Sequence, residues 1–305
     1  QDSLVPLQFV LSAVVGAATG QLVVLSGPTG VGKTSLVRKM SQILQVGPEN
    51  PGRGVVPVRP AWIDSTDLLG FHNPADNRFE PTPFLDELVE AKRYETANEL
   101  YFVVLDEMNL SRIENYGADL LAKLEKSRGK ARNSVNRGRL SLYSDAVEQR
   151  MRRRIKHLAD LLEDDTDSKN QWEKREEFRA LTSRLERYPS RFPIPQGLVL
   201  FGTVNADETT YAFSPKFKDR AFIIQLPPVS LDKTLTESKA ASSIEPVWTL
   251  TRSFVEGIEF SRPLPKTAQA EWSQIVNWHT KYLKPMGVHL SHRFEMLFRH
   301  YVVVA

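Results

Sequence analysis

Cysteine is absent from the 305 residues of this sequence. Disulfide bonds, thiol-dependent catalysis and cysteine-ligated zinc sites are therefore excluded. The absence is compatible with a reducing compartment, and we expect a cytoplasmic protein. Long apolar runs are missing as well, since none approaches the roughly 20 residues that a membrane-spanning helix needs. We therefore expect no membrane partner.

An excess of charge of either sign is also missing, because 40 basic and 37 acidic side chains leave a formal net charge of only +3. Composition alone thus gives no reason to expect nucleic-acid binding. The length fits one large domain, or a core with a smaller second domain. The chain begins at Gln1 and not at methionine, and we expect it to be a piece of a longer protein.

The most informative stretch that is present is rich in glycine. Residues Gly27–Thr34 read GPTGVGKT, which matches the pattern G-x-x-x-x-G-K-[ST]. An apolar, β-rich run precedes this stretch, and Ser35–Leu44 follows it with apolar residues at helical spacing. A strand before and a helix after are the context in which this pattern forms a phosphate-binding loop. The alternative is a glycine-rich turn that matches by chance.

The residue types of this loop suit a nucleoside triphosphate. Glycine lets the backbone curl tightly, so that successive N–H groups point at phosphate oxygens next to a helix N-terminus. Lys33 is expected to reach the β- and γ-phosphates, and the Thr34 hydroxyl is expected to bind Mg²⁺. The predicted nucleotide-binding residues of the loop are Gly27, Pro28, Thr29, Gly30, Val31, Gly32, Lys33, Thr34 and Ser35.

A second informative run, Tyr101–Glu107, reads YFVVLDE. A continuous apolar run that ends in two carboxylates is typical of a buried parallel strand whose C-terminal end meets a site. We predict that Asp106 holds Mg²⁺ through water and that Glu107 polarises the attacking water as a base. Strands without a catalytic role can end in acids too, but the position after a phosphate loop favours the catalytic interpretation.

Two later β-rich runs carry further candidates. Leu198–Asn205 ends in an amide that can orient a water beside a γ-phosphate, although a strand-end asparagine can simply make a turn. Arg220 lies two residues before the run that begins at Phe222. It is either a solvated charge or an arginine finger that reaches the nucleotide of a neighbouring subunit. The proline-containing run that begins at Phe192 is expected to break the regular structure.

Charge is strongly segregated in the middle of the chain. Ten basic residues and two acids occupy 127–156, whereas eight acids and three bases occupy 160–177. One interpretation is an antiparallel helical hairpin whose basic and acidic arms face each other. The other is a contact with DNA phosphates or a partner, for which the candidate residues are Arg150, Arg152, Arg153 and Arg154.

From Val229 onward the apolar spacing is helical. We therefore predict an α/β core over residues 1–228, with an inserted helical hairpin at about 127–190, and a small helical lid over 229–305. His289 and His292 have no obvious third ligand and are not expected to form a metal site.

Taken in order, these motifs resemble those of AAA+ ATPases, with similarity along most of the chain. A closer resemblance is to the McrB-type branch, the motor subunits of modification-dependent restriction systems. The stretches that carry it are LLGFHNP (Leu68–Pro74), LDEMN (Leu105–Asn109), GADLLAKLE (Gly117–Glu125), FPIP (Phe192–Pro195) and GTVNADETT (Gly202–Thr210).

The resemblance implies a P-loop fold with a parallel five-stranded sheet flanked by helices, a C-terminal helical lid and a hairpin inserted before sensor 1. It implies sensor-1 and sensor-2 roles for Asn205 and Arg293, signature positions at Asn109 and Asp207, and a finger acting in trans at Arg220. It also implies ATP or GTP as substrate with Mg²⁺, a ring that is a hexamer, a McrC-like endonuclease partner and double-stranded DNA.

Three functions fit these residues. The first is an NTP-driven motor that acts on DNA with a partner endonuclease. The second, the MoxR-like alternative, is a remodeller of a protein substrate with no DNA role. The third is a module that binds NTP only to assemble, and a water-polarising acid at Glu107 argues against it.

Overall fold

The computed structural model describes residues 7–44, 46, 54–75, 78–95, 99–126, 138–164, 168–206, 211–228 and 266–286. The strands are β1 (Leu22–Gly27), β2 (Val55–Pro57), β3 (Phe71–Asn73), β4 (Arg78–Glu80), β5 (Tyr101–Asp106), β6 (Arg139–Ser141), β7 (Arg191–Pro193), β8 (Leu198–Asn205) and β9 (Ala221–Gln225). The helices are α1 (Leu7–Ala18), α2 (Lys33–Ile43), α3 (Ser65–Leu69), α4 (Pro83–Tyr94), α5 (Ile113–Tyr116), α6 (Ala118–Lys126), α7 (Asp145–Asp164), α8 (Ser168–Arg187), α9 (Pro215–Lys218) and α10 (Lys266–Trp278).

The central sheet has five strands in the order β2-β5-β8-β1-β9. Every neighbouring pair in it is parallel, which confirms the predicted α/β architecture. Both faces of the sheet are covered by helices, so the strands are apolar on both sides. Because β8 lies between β5 and β1, the ends of the three strands that carry the candidate site are adjacent.

Alternate residues of the sheet belong to two separate hydrophobic cores. On one face, Val103 and Leu105 of β5 pack with Phe84 and Leu88 of α4. On the other face, residues of β1, β5 and β8 pack with α1 and α2, and they include Leu25, Val104, Phe201, Leu36 and Met40. The second face therefore holds the helix that follows the glycine-rich loop directly against the strands that end in Asp106 and Asn205.

Local sequence signals set where the helices start. Asp64 accepts a hydrogen bond from the Thr66 N–H at 2.7 Å, and Asp67 in turn accepts from the Asp64 N–H, which together form a capping box before α3. The Thr82 hydroxyl accepts from the Leu85 N–H at 3.2 Å, and Pro83 occupies the first position of α4. Residue types within a few positions of each helix start thus determine where α3 and α4 begin.

Two short antiparallel ribbons were not predicted from the sequence. One pairs β3 with β4, and the other pairs β6 with β7. The expectation that regular structure breaks at Phe192 was wrong, because Phe192 lies in β7 opposite Leu140 of β6. A proline is tolerated at the end of this strand, since an edge position needs no N–H donor there.

The charged insert forms the predicted antiparallel hairpin of α7 and α8. The two helices contact each other, and their buried apolar side chains include Met151 and Leu158 of α7 and Leu185 of α8. The ion pair between Arg154 and Glu177 joins the basic arm to the acidic arm at 2.8 Å. The hydrogen bond from the Arg154 guanidinium lowers the pKa of the Glu177 carboxyl group. Both side chains are about half exposed, so this pair adds little stability.

The base of the hairpin is fixed to the core. The Tyr188 hydroxyl donates to the Asp86 carboxylate of α4 at 2.6 Å, and the Arg187 guanidinium donates to the same carboxylate oxygen at 3.0 Å. Burial, followed by the bond to Asp86, raises the pKa of Tyr188 to about 12, so this hydroxyl remains a donor at neutral pH. The Glu148 carboxylate also accepts from the Ser190 N–H at 3.1 Å. The hairpin therefore leaves the core from an anchored position.

The predicted C-terminal lid lies mostly outside the described residues. Within it, α10 continues into a π-helical turn at His279–Leu283 and a 3-10 turn at Lys284–Met286. The described part of 229–305 is thus helical, as expected. Nowhere in the described ranges does a helix combine the length and apolar character needed to cross a bilayer.

Candidate active site

The glycine-rich loop connects β1 to α2. Gly30 and Gly32 have φ angles of 81° and 82°, in the left-handed region where side chains are disfavoured. Gly27 meets a different constraint, because a Cβ there would lie 2.8 Å from the carbonyl oxygen of Leu226. Val31 is buried and anchors the loop to the core below, whereas Thr29 and Gly30 are exposed at its tip. The loop thus presents exposed backbone in front of the first turn of α2.

Lys33 is the first residue of α2 and its side chain is buried. Its ammonium group donates to the carbonyl oxygens of Gly27 and Pro28 at 3.0 and 2.8 Å. These bonds fold the side chain back over the loop and place a positive charge at its centre. Thr34 and Ser35 follow in the same helical turn, with Ser35 exposed.

Asp106, at the end of β5, lies beside the start of α2. Its Oδ1 atom accepts hydrogen bonds from two hydroxyl groups, those of Thr34 and Thr203, each at 2.6 Å. The Thr34 proton therefore points to Asp106, which leaves the lone pairs of this hydroxyl available to a cation. Mg²⁺ takes oxygen ligands and is usually held by one or two carboxylates together with substrate phosphates, so these oxygen atoms fit the predicted role. No cluster of three or more acidic or histidine side chains that could hold a metal occurs among the described residues.

Glu107 follows directly and adopts an unusual backbone conformation. Its φ and ψ angles are 52° and 46°, and it is the one non-glycine residue in the described ranges with positive φ. Such a conformation costs about 1–2 kcal/mol for a side chain of this type. Strain of this kind is concentrated at functional sites. The turn brings the Glu107 carboxylate to 3.1 Å from the Asn205 amide nitrogen, which donates to it.

Asn109 and Met108 hold the turn after β5 against the end of β8. Asn109 is buried in the short 3-10 turn Met108–Leu110, and its amide donates to the carbonyl oxygen of Asn205 at 3.3 Å. Gly202 of β8 leaves room for Met108, because a Cβ there would collide with the methionine sulfur. The turn after β5 and the end of β8 are therefore packed together, which fixes Asn205 relative to Glu107.

Arg220 lies just after α9, and the structure brings it to a residue that the sequence did not single out. Its Nε atom is 3.4 Å from the carboxylate of Glu125 on α6, and the two side chains are 23% and 28% exposed. Arg220 thus forms an ion pair within its own chain. Nothing in the local sequence around Arg220 indicates Glu125 as its partner, because 95 residues, the difference between the two numbers, separate them.

The remaining candidates are distributed as follows. The candidate DNA or partner contacts lie on α7 with exposed side chains, namely Arg150, Arg152, Arg153 and Arg154. Arg152 pairs with Glu148 at 2.6 Å, and Arg154 pairs with Glu177. The predicted signature residue Asp207 and the predicted sensor-2 residue Arg293 lie outside the described residues.

Thr203 is the site residue that sequence reasoning missed. Besides its bond to Asp106, its hydroxyl accepts a hydrogen bond from the Glu107 N–H at 2.8 Å. A threonine within a buried strand is ordinarily a neutral β-former, so its type carries no signal of its own. The available signal was its spacing, two residues before Asn205, where the side chains of a strand share one face.

Comparison with known proteins adds little to this geometry. No protein family matches the chain, and no curated protein does. Among solved structures, one described as a "putative ATPase from Cytophaga hutchinsonii" is similar over 84% of this chain and 58% of its own length, with 15% identity and a TM-score of 0.44. The chain thus spans less than two thirds of that protein. A similarity at this level says nothing about activity, and it is the strand order and the glycine-rich loop that are consistent with a P-loop NTPase.

Proposed function

We propose that this chain is an Mg²⁺-dependent nucleoside triphosphatase that works as a subunit of an AAA+ ring motor. One observation carries the proposal, namely that two hydrogen-bonded pairs, Thr34 with Asp106 and Asn205 with Glu107, lie side by side next to the glycine-rich loop. A protein that only binds nucleotide has no need to hold a carboxylate in a left-handed backbone conformation next to an amide. The strained Glu107 therefore favours hydrolysis over the assembly-only alternative.

In this proposal each residue of the cluster has a distinct role. The loop N–H groups and the Lys33 ammonium bind the β- and γ-phosphates. The Glu107 carboxylate accepts a proton from the attacking water, and the Asn205 amide keeps that carboxylate oriented. Thr34 and Asp106 would hold Mg²⁺, which neutralises charge on the phosphate oxygens when bound. ATP and GTP are equally compatible with these contacts, since none of them involves the base.

Ring formation is the next part of the proposal. Arg220 completes the site of a neighbouring protomer, where a guanidinium neutralises the charge that develops on the transferred phosphoryl group. Its side chain is 23% exposed and pairs with Glu125, which is 28% exposed. A largely buried guanidinium needs a compensating charge, and in the proposed ring the triphosphate of the neighbouring protomer would replace Glu125 as its anionic partner. We propose a hexameric ring.

The finer assignment concerns what the motor acts on. We propose a McrB-type role, in which the ring moves along double-stranded DNA and drives a McrC-like endonuclease. Support comes from the resemblance of the motifs and from the exposed basic face of α7. Within the described part of the chain, no acidic side chain pairs with Arg150 or Arg153, which lie three residues apart on one helical face.

The hydrolysis proposal is tested by assaying phosphate release from ATP and from GTP, with and without Mg²⁺. The control variant is Lys33→Ala, which removes a charge-assisted contact to phosphate. We expect this variant to bind nucleotide about 10- to 100-fold more weakly, as measured by calorimetry. Hydrolysis of neither nucleotide by the wild-type chain, even with DNA present, would contradict the proposal.

The DNA proposal is tested on a double variant, Arg150→Gln with Arg153→Gln, by measuring duplex affinity at several salt concentrations. Loss of two phosphate contacts should reduce the slope of log affinity against log salt by about 1.8. The matched control is Arg175→Gln with Arg179→Gln on α8, which removes the same charge from the other arm and should leave the slope unchanged. Equal slopes for the two double variants would favour the MoxR-like alternative, a remodeller of a protein substrate.

A further inference from the structure

We propose that Thr203 is a positioning residue for hydrolysis, whose hydroxyl fixes Asp106 and Glu107 relative to each other. The inference rests on the proposed NTPase function and assigns a role in it to a residue for which the sequence analysis predicted none. Thr203 does not touch the reacting atoms in this scheme. It acts through the two carboxylate residues that do.

The position of Thr203 in the sheet makes this contact possible. Strand β8 lies between β5 and β1, and its Gly202 pairs with Leu105 of β5. The next residues along the two strands, Thr203 and Asp106, therefore lie side by side with their side chains on the same face. Thr203 is 1% exposed, so water does not compete for its hydroxyl.

The hydroxyl of Thr203 makes one hydrogen bond as a donor and one as an acceptor. It donates its single proton to Asp106 Oδ1 at 2.6 Å and accepts from the Glu107 N–H at 2.8 Å. Thr34 donates to the same Oδ1 atom. Two hydroxyl donors thus converge on one oxygen of Asp106, which fixes the orientation of its carboxylate.

The second bond acts on the backbone of Glu107. A non-glycine residue leaves the left-handed region unless its surroundings hold it there. The Glu107 N–H is bound by Thr203, and the Glu107 carbonyl oxygen accepts from the Leu110 N–H at 2.9 Å. These bonds clamp both ends of the turn that aims the carboxylate at Asn205. Without the Thr203 acceptor, the N–H group loses its buried partner and the turn can relax.

The decisive variant is Thr203→Val, which keeps the branched shape of the side chain and removes both hydrogen bonds. Thr203→Ser keeps the hydroxyl and is the matched control. We expect Thr203→Val to lower kcat about 10- to 100-fold, the loss expected for a hydrogen bond to a charged group, with little change in KM. We also expect the Mg²⁺ concentration at half-maximal nucleotide binding to rise severalfold, because Asp106 is less well oriented.

The Mg²⁺ concentration at half-maximal nucleotide binding is measured with a fluorescent nucleotide during a Mg²⁺ titration and needs no turnover. In Thr203→Ser, which keeps the hydroxyl, kcat and the Mg²⁺ concentration at half-maximal binding should stay near their wild-type values. If Thr203→Val fails to fold, Thr203→Ala supplies a second variant without the hydroxyl, and the same comparison with Thr203→Ser applies. Wild-type values of kcat and of Mg²⁺ dependence in the hydroxyl-free variants would overturn this inference. Absence of hydrolysis by the wild-type chain would instead overturn the proposed function, so the two failures are distinguishable.

Discussion

Replacement of Glu107 by glutamine is expected to lower kcat for NTP hydrolysis about 10²–10⁴-fold while leaving nucleotide binding intact. Glutamine has almost the same shape, and its carbonyl oxygen can still accept from the Asn205 amide that now lies 3.1 Å from the carboxylate. It cannot take a proton from water. The substitution therefore removes the proposed base and leaves the loop, Lys33 and the backbone turn in place.

The measurement pairs steady-state phosphate release with calorimetric binding of the same nucleotide. Because the variant binds without turning over, it should also accumulate in the nucleotide-bound ring, which can be followed by mass photometry. The control is Glu173→Gln on α8, an exposed residue that loses the same charge and should turn over normally. A Glu107→Gln protein with wild-type kcat would remove Glu107 from the mechanism, whatever its effect on assembly.

Replacement of Arg220 by alanine is expected to lower kcat about 10³–10⁵-fold, the range found for arginine fingers that act on phosphoryl transfer. In the proposed ring, the guanidinium would be lost from the interface between two protomers, where charge would develop on the transferred phosphate. Both side chains are only 23% and 28% exposed, so removing Arg220 leaves Glu125 largely buried without its partner and should also lower the Tm. The fall in kcat is therefore measured on folded protein, well below the Tm of the variant.

Mixing two inactive proteins decides whether Arg220 works in trans. In a mixed ring of Arg220→Ala and Glu107→Gln subunits, some seams combine an intact Glu107 from one protomer with an intact Arg220 from the next. Such seams are complete, so activity should return when the two proteins are mixed. No recovery, in rings shown to contain both subunits, would mean that Arg220 acts within its own chain or has no role in hydrolysis.

The local features of the nucleotide loop could be predicted well because they depend on residues close in sequence. The positive φ angles of Gly30 and Gly32, and the start of α2 at Lys33, follow from glycine chemistry and helix initiation within eight residues. The caps at Asp64 and Thr82 belong to the same class, since each side chain bonds to an N–H two or three positions later. Short-range geometry of this kind is encoded directly in residue type.

The short ribbons and the partner of Arg220 could not be predicted in the same way. Each strand of the β6–β7 ribbon has three residues, too few to show an alternation of apolar and polar positions, and the hairpin of α7 and α8 separates them. In the sequence, nothing distinguishes Glu125 from other acidic residues of a helix, and its pairing with Arg220 is visible only in the folded structure. In both cases the information lies in pairing across the fold and not in either segment.

The contacts of Thr203 within the candidate site could not be predicted from the sequence either. Residue type and order along the chain were enough to identify the glycine-rich loop, the acidic end of β5 and the amide end of β8, because each is a contiguous pattern with its own chemistry. That one hydroxyl binds Asp106 and the Glu107 backbone was decided by the tertiary structure. The bonds span 97 and 96 residues, and they exist only because strand order places β8 beside β5 in a register that no local preference specifies.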